Sequence, residues 1–504
     1  MLYAIPPELL TAVKSHSWAS TAVAGLLVYV VIHQIQYYAK TPKVASVGFV
    51  PIPILGSWIA AIRFMMDPVE MVRQGMAKSK NGMFRIATLG GEFVLVVDRN
   101  KVTEYLKAPD TVLNAQDGAN EQQQLPHTMG YGVAHRTYHT AVVRGPITKD
   151  LPIKTDLMVD EAQLALSELI GDPADWTPVA LYDNIASTVA RISSRLYVGM
   201  PFCRDKEYLK NSTDYAQAVV LCAELLRLLP EWSKGFVTQF LPVTRHRKAA
   251  VRTLGPFIQE RLDGKLNEDG TKPDDLVQRL IDAAPPIEKT VPQLSERVMA
   301  LNVASIHTTT LVFTAALYTL AQQWEKYAED LRQEIESNIP DGEITFDRLK
   351  ALVKMDSFLR ESGRFNVAGL MAMQRNARKD FKFSDGTLLP RGAKVGAPSL
   401  ILHRDAEVYS DPDVFDGYRF LDEKYKETKE TGPTTTGRNF HVFGHGRHPC
   451  PGRFLATHEM KILMCILLMK YDFKFAEGDS PKPMFIATMA IPDTFVKVQF
   501  RTRR

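Results

Sequence analysis

Near the C-terminal end, "FGHGRHPCPGRF" (443–454) places one of only four cysteines among glycine, proline, histidine and arginine. A structural cysteine sits among apolar neighbours, which describes Cys203, Cys222 and Cys465 but not Cys450. The next residues, "RFLATHEMKILMCILLMKY", have the nearly continuous apolar body of a buried helix. Cys450 therefore stands at a helix mouth, where the dipole and the free backbone N–H groups stabilise an ionised sulfur. Such a thiolate suits a metal. No second Cys or His stands at tetrahedral spacing, so zinc fits poorly, whereas one thiolate on one face of a planar metal complex is what a heme iron requires. Gly444, Gly446 and Gly452 let the backbone approach a flat ligand, and Phe443 offers an aromatic face.

Two further constellations need elements to position them. In "FLRESGRF", Glu361 and Arg364 stand three apart, so on a helix they share a face and can pair. In "LNVASIHTTTLVF" (301–313) an apolar helical stretch is interrupted by His307 and three threonines, poor helix formers whose presence there calls for a reason. One reason is a kinked core helix whose hydroxyls bond back to their own carbonyls. From about residue 155 to 335 the apolar spacing is mostly helical, as in "LMVDEAQLALSELI", "YAQAVVLCAELLRLL" and "LVQRLIDAA". Residues 365–400 change character: Asp385-Gly386 between short apolar runs, then Pro390 and Gly392, predict a hairpin and a small sheet. Residues 421–440 read as a long charged, Thr/Gly-rich connection.

The bulk properties agree with a mainly α chain carrying a minor β region. At 504 residues the length prior suggests about three domains, yet no Gly/Ser linker, repeat or low-complexity tract comes after residue 60, so one large domain from 59 to 504 is expected. Irregularly spaced cysteines form no disulfide framework and point to a reducing compartment. With 61 basic and 57 acidic residues the net charge of +4 gives no sign of nucleic-acid binding.

The N-terminus departs from this. After a short segment, 1–17, "WASTAVAGLLVYVVIHQIQYY" (18–38) has an apolar centre, no formal charge and aromatic residues at both ends, as a membrane anchor does. Its strictly apolar run is short, and a cleaved signal peptide is the rival reading, but no small-x-small site comes after it. Lys40 and Lys43 favour a cytoplasmic body. Residues 39–58, with Pro51, Pro53 and Gly56, predict a stiff, extended hinge.

The Cys450 loop resembles the heme-binding loop of the cytochrome P450 family, F-x-x-G-x-R/H-x-C-x-G, with Phe443, Gly446, His448, Cys450 and Gly452 in its fixed places. The arginine usual two residues before the cysteine is His448 here, with Arg447 displaced by one. Glu361 and Arg364 match the family's E-x-x-R element, and "FDGYRF" supplies Arg419 as its third member. Residues 301–313 resemble the oxygen-binding helix, with Ala304 and Thr308 in matching places, Ser305 for the usual glycine and His307 at the acid position, a variant resembling fungal enzymes of specialised metabolism. Arg375 matches a position that binds a heme propionate, and Arg144 and His139 resemble the helix gripping the heme's other side.

The resemblance spans the chain from about residue 45. It implies the P450 fold and heme with Cys450 as the axial iron ligand. It also implies O2 as co-substrate, electrons from NADPH through a reductase with cytochrome b5 as a possible second donor, and a single-pass anchor in the endoplasmic reticulum membrane with a cytosolic catalytic domain. The implied reaction is oxidation of an unactivated C–H bond. Val303, Val367, Leu370, Met489 and Ile491 are the candidate substrate walls; they carry no charge, so a lipophilic, terpenoid-type substrate is expected. The competing readings are a fatty-acid or xenobiotic hydroxylase, a reductase-independent heme-thiolate isomerase or dehydratase, and a non-catalytic heme sensor.

Overall fold

The computed structural model describes residues 41–52, 55–486 and 488–504; the expected anchor, 18–38, lies outside them. The last four residues of the expected hinge are helical, because a helix (α1, Leu55–Met66) already begins at Leu55 and buries Gly56. Helices dominate the body. Its axis is α4 (Val291–Gln322), a helix of 32 residues flanked by α2 (Leu181–Tyr197), α3 (Lys206–Arg227) and a further helix, Pro242–Leu262. Among the described residues α4 alone is long and apolar enough to cross a membrane, but most of it is buried in the core, and that packing accounts for its composition.

Glu361 and Arg364 lie on α5 (Val353–Phe365), and the helix expected after Cys450 is α6 (Arg453–Lys470), buried along almost its whole length. The small sheet is also present: Phe381–Lys382 pairs antiparallel with Leu388–Leu389 around Gly386, whose φ of 86° is one that glycine tolerates. A larger sheet runs in the order β1 (Ala45–Ser46), β2 (Met83–Thr88), β3 (Gly91–Val96), β6 (Lys394–Ala397), β5 (Ala372–Ala377), β4 (Leu113–Asn114). Its register slips between Ala372 and Arg375, a bulge with Met373 at φ 57°, and such a bulge re-aims the next side chain along the strand.

Near the C-terminus a hairpin, Met484–Ile486 with Met489–Ile491, folds back onto the strand-like segment after α5. Leu370 N–H donates to the Thr488 carbonyl at 2.8 Å and Ala490 N–H to the Ala368 carbonyl at 3.0 Å. Two stretches more than a hundred residues apart are thereby joined by main-chain bonds. Apolar side chains also stay exposed at Trp58, Ile62 and Met66 of α1 and at Trp232, Phe236 and Phe240.

Candidate functional site

Cys450 sits three residues before α6, and its own N–H donates to the Phe443 carbonyl at 2.8 Å, closing the loop into a turn. Gly444 and Gly446, at φ 70° and 81°, supply the left-handed corners, and a Cβ on Gly446 would meet Leu106 Cβ at 3.5 Å. The sulfur faces the backbone N–H groups of Gly452 and Arg453 as the helix mouth requires. The side chain is exposed, yet the protein packed around it is the largest influence and raises the thiol's pKa above its ordinary value, with those donors and the Arg453 charge opposing it. A metal cation removes that penalty by deprotonating the sulfur outright.

The loop is braced from below. Glu361 and Arg364 are fully buried and Arg419 nearly so. Arg364 donates to Glu361 through Nε at 2.7 Å and Nη2 at 2.8 Å, and Arg419 Nε reaches both carboxylate oxygens at 3.2 Å. Arg364 Nη1 also donates to the carbonyls of His403 (2.7 Å) and Pro412 (2.8 Å). His403 in turn accepts the His441 N–H at 2.8 Å, and the His441 carbonyl accepts from Gly444. A chain of hydrogen bonds thus runs from the ion triad into the Cys450 loop, and a Cβ on Gly363 would touch Val442 at 3.1 Å on the same route.

Cationic groups collect beside the loop. Arg375 is buried on β5; its Nη1 donates to the Gln374 carbonyl at 2.8 Å, while Nη2 has no partner. Burial, with the nearby Arg447 charge, draws its pKa down, and Tyr105 and Asp110 oppose. Arg447 donates to the Ala108 carbonyl, and His448 Nε2 lies 2.9 Å from Asp110 Oδ1, so both are tied to the 108–110 segment. Arg144 is exposed in the turn 143–147, close enough for its charge to act on Arg453.

His139 has a protein partner: its Nδ1 lies 2.5 Å from Arg297 Nη1, inside a buried group in which Arg297 also donates to Glu288 at 2.6 Å, which leaves Nε2 as the ring's remaining donor. Burial lowers its pKa to about 4, and the neutral ring accepts from Arg297.

On α4, Ala304 and Thr308 are exposed, one turn apart, on a helix otherwise buried at Val303, Ile306, Thr309 and Thr310. Thr308 Oγ1 bonds back to the Ala304 carbonyl at 2.6 Å and Thr310 to Ile306 at 2.7 Å, and the helix continues unbroken through them. His307 is half-buried with Nε2 unpartnered, and desolvation draws its pKa down, so the acid position holds an uncharged ring. Farther along, Leu311, Val312, Val367, Ala368, Ala490 and Ile491 help line a cavity of about 300 Å³. Of its polar groups, Tyr318 donates to the Asp493 carbonyl and Asn366 to Thr319, while Arg404 donates to Asp413 and keeps an unpartnered Nε. Met489 pairs with Gly369 at this wall, whereas Leu370 has no exposed surface and belongs to the core with Phe64 and Phe84, not to the cavity.

One thiol at a helix mouth, glycine corners that keep the loop low, and a buried guanidinium with an unused N–H form a donor set that fits heme: a sulfur for the iron and a cation for a propionate. The cytochrome P450 family model matches residues 47–499. Cytochrome P450 monooxygenase 151 of Postia placenta is 34% identical, with 93% of this chain and 98% of its own length covered. An ent-kaurene oxidase of Gibberella intermedia is 29% identical over 91% of this chain and 89% of its own length. The fold also matches a retinoic acid-bound cyanobacterial CYP120A1, with a TM-score of 0.69 at 19% identity, covering 92% of this chain and 100% of that one. The chain belongs to the cytochrome P450 family of monooxygenases, oxidoreductases that use heme and O2 and generally draw electrons from a redox partner.

The sequence missed the partners rather than the centre: Arg297, Asp110 and His403 carry no local signal. Glu459 did carry one, as the single acid in the apolar run of α6.

Proposed function

We propose that this enzyme inserts one oxygen atom from O2 into a C–H bond of a bulky lipophilic molecule of the terpenoid class, in fungal specialised metabolism. The supporting observation is the apolar wall beside α4, where Val367, Ala368 and Ile491 meet Leu311, one turn beyond Thr308, while Arg404 at the same cavity is paired with Asp413. An ent-kaurene oxidase among the relatives points the same way.

In this reading the Cys450 sulfur would hold the heme iron. Arg375 would take a propionate through its free Nη2, with Arg447 and Arg144 completing the cationic side and His448 beside them. When bound, the heme supplies the redox chemistry: with two electrons and two protons, one atom of O2 goes to substrate carbon and the other leaves as water. Thr308 holds a hydroxyl at the exposed turn of α4, where it orients protons, and Ala304 leaves room beside it. Val303, Val367, Met489 and Ile491 exclude water and choose the carbon. Glu361, Arg364 and Arg419 keep the Cys450 loop in place.

Electrons come from NADPH through a membrane reductase, with cytochrome b5 as a second donor. Residues 18–38 anchor the chain in the endoplasmic reticulum with the catalytic body, 59–504, in the cytosol; the exposed apolar side chains of α1 and of Trp232, Phe236 and Phe240 support a membrane-facing side.

The test is expression with a reductase, the carbon monoxide difference spectrum of wild type and Cys450→Ser, then incubation with polycyclic terpenoid hydrocarbons and with fatty acids. A red-shifted Soret band lost in Cys450→Ser and a terpenoid product gaining one oxygen are expected. A profile dominated by omega-hydroxy fatty acids removes the terpenoid reading; absence of the band removes Cys450 as ligand.

A further inference from the structure

The cavity of about 300 Å³ beside α4 has two unlike ends. Ala304, Thr308, Leu311, Ala315, Thr319 and Gln322 follow one another at steps of three or four, so they form a single stripe along α4. The stretch from Leu311 onward borders the cavity, and Ala304 and Thr308 are the exposed turn, so the face open at Thr308 is the face the cavity uncovers farther on. Most of the facing wall is hydrocarbon, with Val367 and Ala368 on one side and Ala490 and Ile491 on the other. The end away from Thr308 is polar. Gln322 is exposed there, and Arg404 stands level with Thr319, because its Nη2 donates to the Phe365 carbonyl at 3.0 Å while the neighbouring Asn366 donates to Thr319 at 3.0 Å.

Arg404 is not exhausted by its partners. Its guanidinium lies 4.1 Å from the centre of the Phe365 ring, Nη1 donates to Asp413 at 2.9 Å and Nη2 to Phe365, and among the described residues nothing accepts from Nε. A guanidinium has five N–H groups, so donor capacity is left over. The Asp413 side chain is 75% exposed, and an exposed pair of this kind is weak. Asp493 borders the same cavity: its Oδ1 accepts from the Phe495 and Val496 N–H groups at 3.0 and 3.2 Å, and Oδ2 meets only the Lys482 N–H, at 3.4 Å. The exposed Lys482 side chain is not part of the lining, and the lining prolines, Pro481, Pro483 and Pro492, have no N–H to compete. Arg404, with Asp413 on it, and Asp493 thus put one positive and two negative charges at the polar end. A further carboxylate is repelled there, whereas a hydroxyl, which both accepts and donates, finds a match for each role.

We propose that this cavity takes a lipophilic alcohol, whose hydroxyl accepts from Arg404 and donates to Asp493 while its hydrocarbon body runs along α4 toward Thr308. Thr308 and Thr319 are eleven residues apart on α4, a rise of about 16 Å, so the carbon to be oxidised lies about that far along the molecule from the oxygen it already carries. The enzyme then acts after a step that has placed a hydroxyl on the skeleton, either a hydroxylation or the capture of water by a carbocation. Its product carries oxygen at both ends. This assignment rests on the lipophilic-substrate reading above and narrows it.

The experiment uses the full heme-loaded chain as wild type, Arg404→Met and Asp493→Asn, each first checked for an unchanged carbon monoxide spectrum. Methionine keeps much of the side chain's apolar stem and removes its N–H groups; asparagine keeps an acceptor for the Phe495 and Val496 N–H groups and removes the charge. The probes are cholestane, cholestanol and cholestanyl hemisuccinate, with phytane, phytanol and phytanic acid: two lipophilic skeletons, each ending in hydrogen, hydroxyl or carboxylate. Binding is read as the shift of the ferric Soret band when the ligand displaces water. On at least one skeleton wild type should bind the alcohol about tenfold more tightly than the hydrocarbon, the low end for a hydrogen bond to a charged group, and the acid more weakly than the alcohol. Arg404→Met should bring alcohol and hydrocarbon to within about threefold of each other, and Asp493→Asn should bind the acid more tightly than wild type does. Equal affinity for hydrocarbon and alcohol in wild type, or an undiminished alcohol preference in Arg404→Met, overturns the proposal and leaves the lipophilic reading standing. A wild type that prefers the acids overturns it as well. Binding of none of the six removes the lipophilic reading, and the proposal falls with it. Should Arg404→Met lose its heme, Asp493→Asn decides alone: an acid affinity equal to that of wild type overturns the proposal.

Discussion

Replacing Glu361 with glutamine changes almost no volume and removes one charge from a site with no solvent contact. The carboxylate accepts two bonds from Arg364 and contacts from Arg419 through both oxygens, and it also accepts the Asp416 N–H at 3.0 Å. In Glu361→Gln two guanidinium groups share the pocket without a counter-charge, and one amide face presents N–H where an acceptor stood. Breaking a buried pair from one side costs about 3–5 kcal/mol, because the remaining charge stays desolvated. At roughly 2 °C per kcal/mol for a large domain, the melting temperature should fall by about 6–10 °C. Arg364 also feeds the His403–His441–Gly444 chain, so heme content should fall with it. The assay is differential scanning fluorimetry together with heme absorbance per mole of protein. A melting temperature within about 2 °C of wild type with full heme content would refute both the energetics and the mechanical link.

Three further outcomes are expected. Thr308→Ala should keep heme and NADPH consumption while product per NADPH drops by about tenfold or more; equal coupling in both proteins tells against the hydroxyl's role. Gly446→Ala puts a side chain at φ 81° and against Leu106, so it should cost about 1–2 kcal/mol in the loop and reduce heme retention, read as the rate of heme transfer to apomyoglobin. The pH dependence of stability has two sides. His139, His441 and His458 have pKa values lowered by burial to about 4, so the unfolded chain binds more protons between about 4 and 6.5 and stability is lost as pH falls through that window. Glu459, raised by burial from 4.5 to about 8, works in reverse: its contribution falls as pH rises through that range. Denaturation midpoints of Glu459→Gln should therefore gain on wild type between pH 5 and pH 8; parallel curves contradict the shift.

The sequence made the centre legible where chemistry depends on residues close together along the chain. Cys450 with its glycines, Glu361 with Arg364, and Ala304 with Thr308 each fit within one loop or one to two helical turns, so spacing alone set their geometry. What escaped was set by partners distant in sequence. His139 reads as a heme contact by resemblance, and nothing in its own segment announces Arg297, which bonds its Nδ1 from 158 residues away. Leu370 shares its stretch with Val367, but its main-chain bond to the hairpin fixes an orientation into the sheet core that no local period specifies. The expected hinge gives way to helix at Leu55 because prolines argue strongly for extension up to their own position and say little about the residues beyond it. The thiol of Cys450 shows the limit of a dipole argument: the donors are where a helix mouth puts them, yet desolvation outweighs them.

The hairpin and the segment after α5 are joined at Leu370–Thr488 and Ala490–Ala368 by backbone atoms alone. Every amino acid except proline carries those same atoms, so the joint is indifferent to which side chains the two strands display. Val367, Met489 and Ile491 can therefore be exchanged, singly or together, without dismantling the seam that presents them. In the proposed reading, mutation can explore new substrate shapes on this wall while leaving the fold beneath it undisturbed. A lineage that duplicates such a gene inherits a ready-made surface for diversification, and a protein engineer inherits the same one as a place to randomise first.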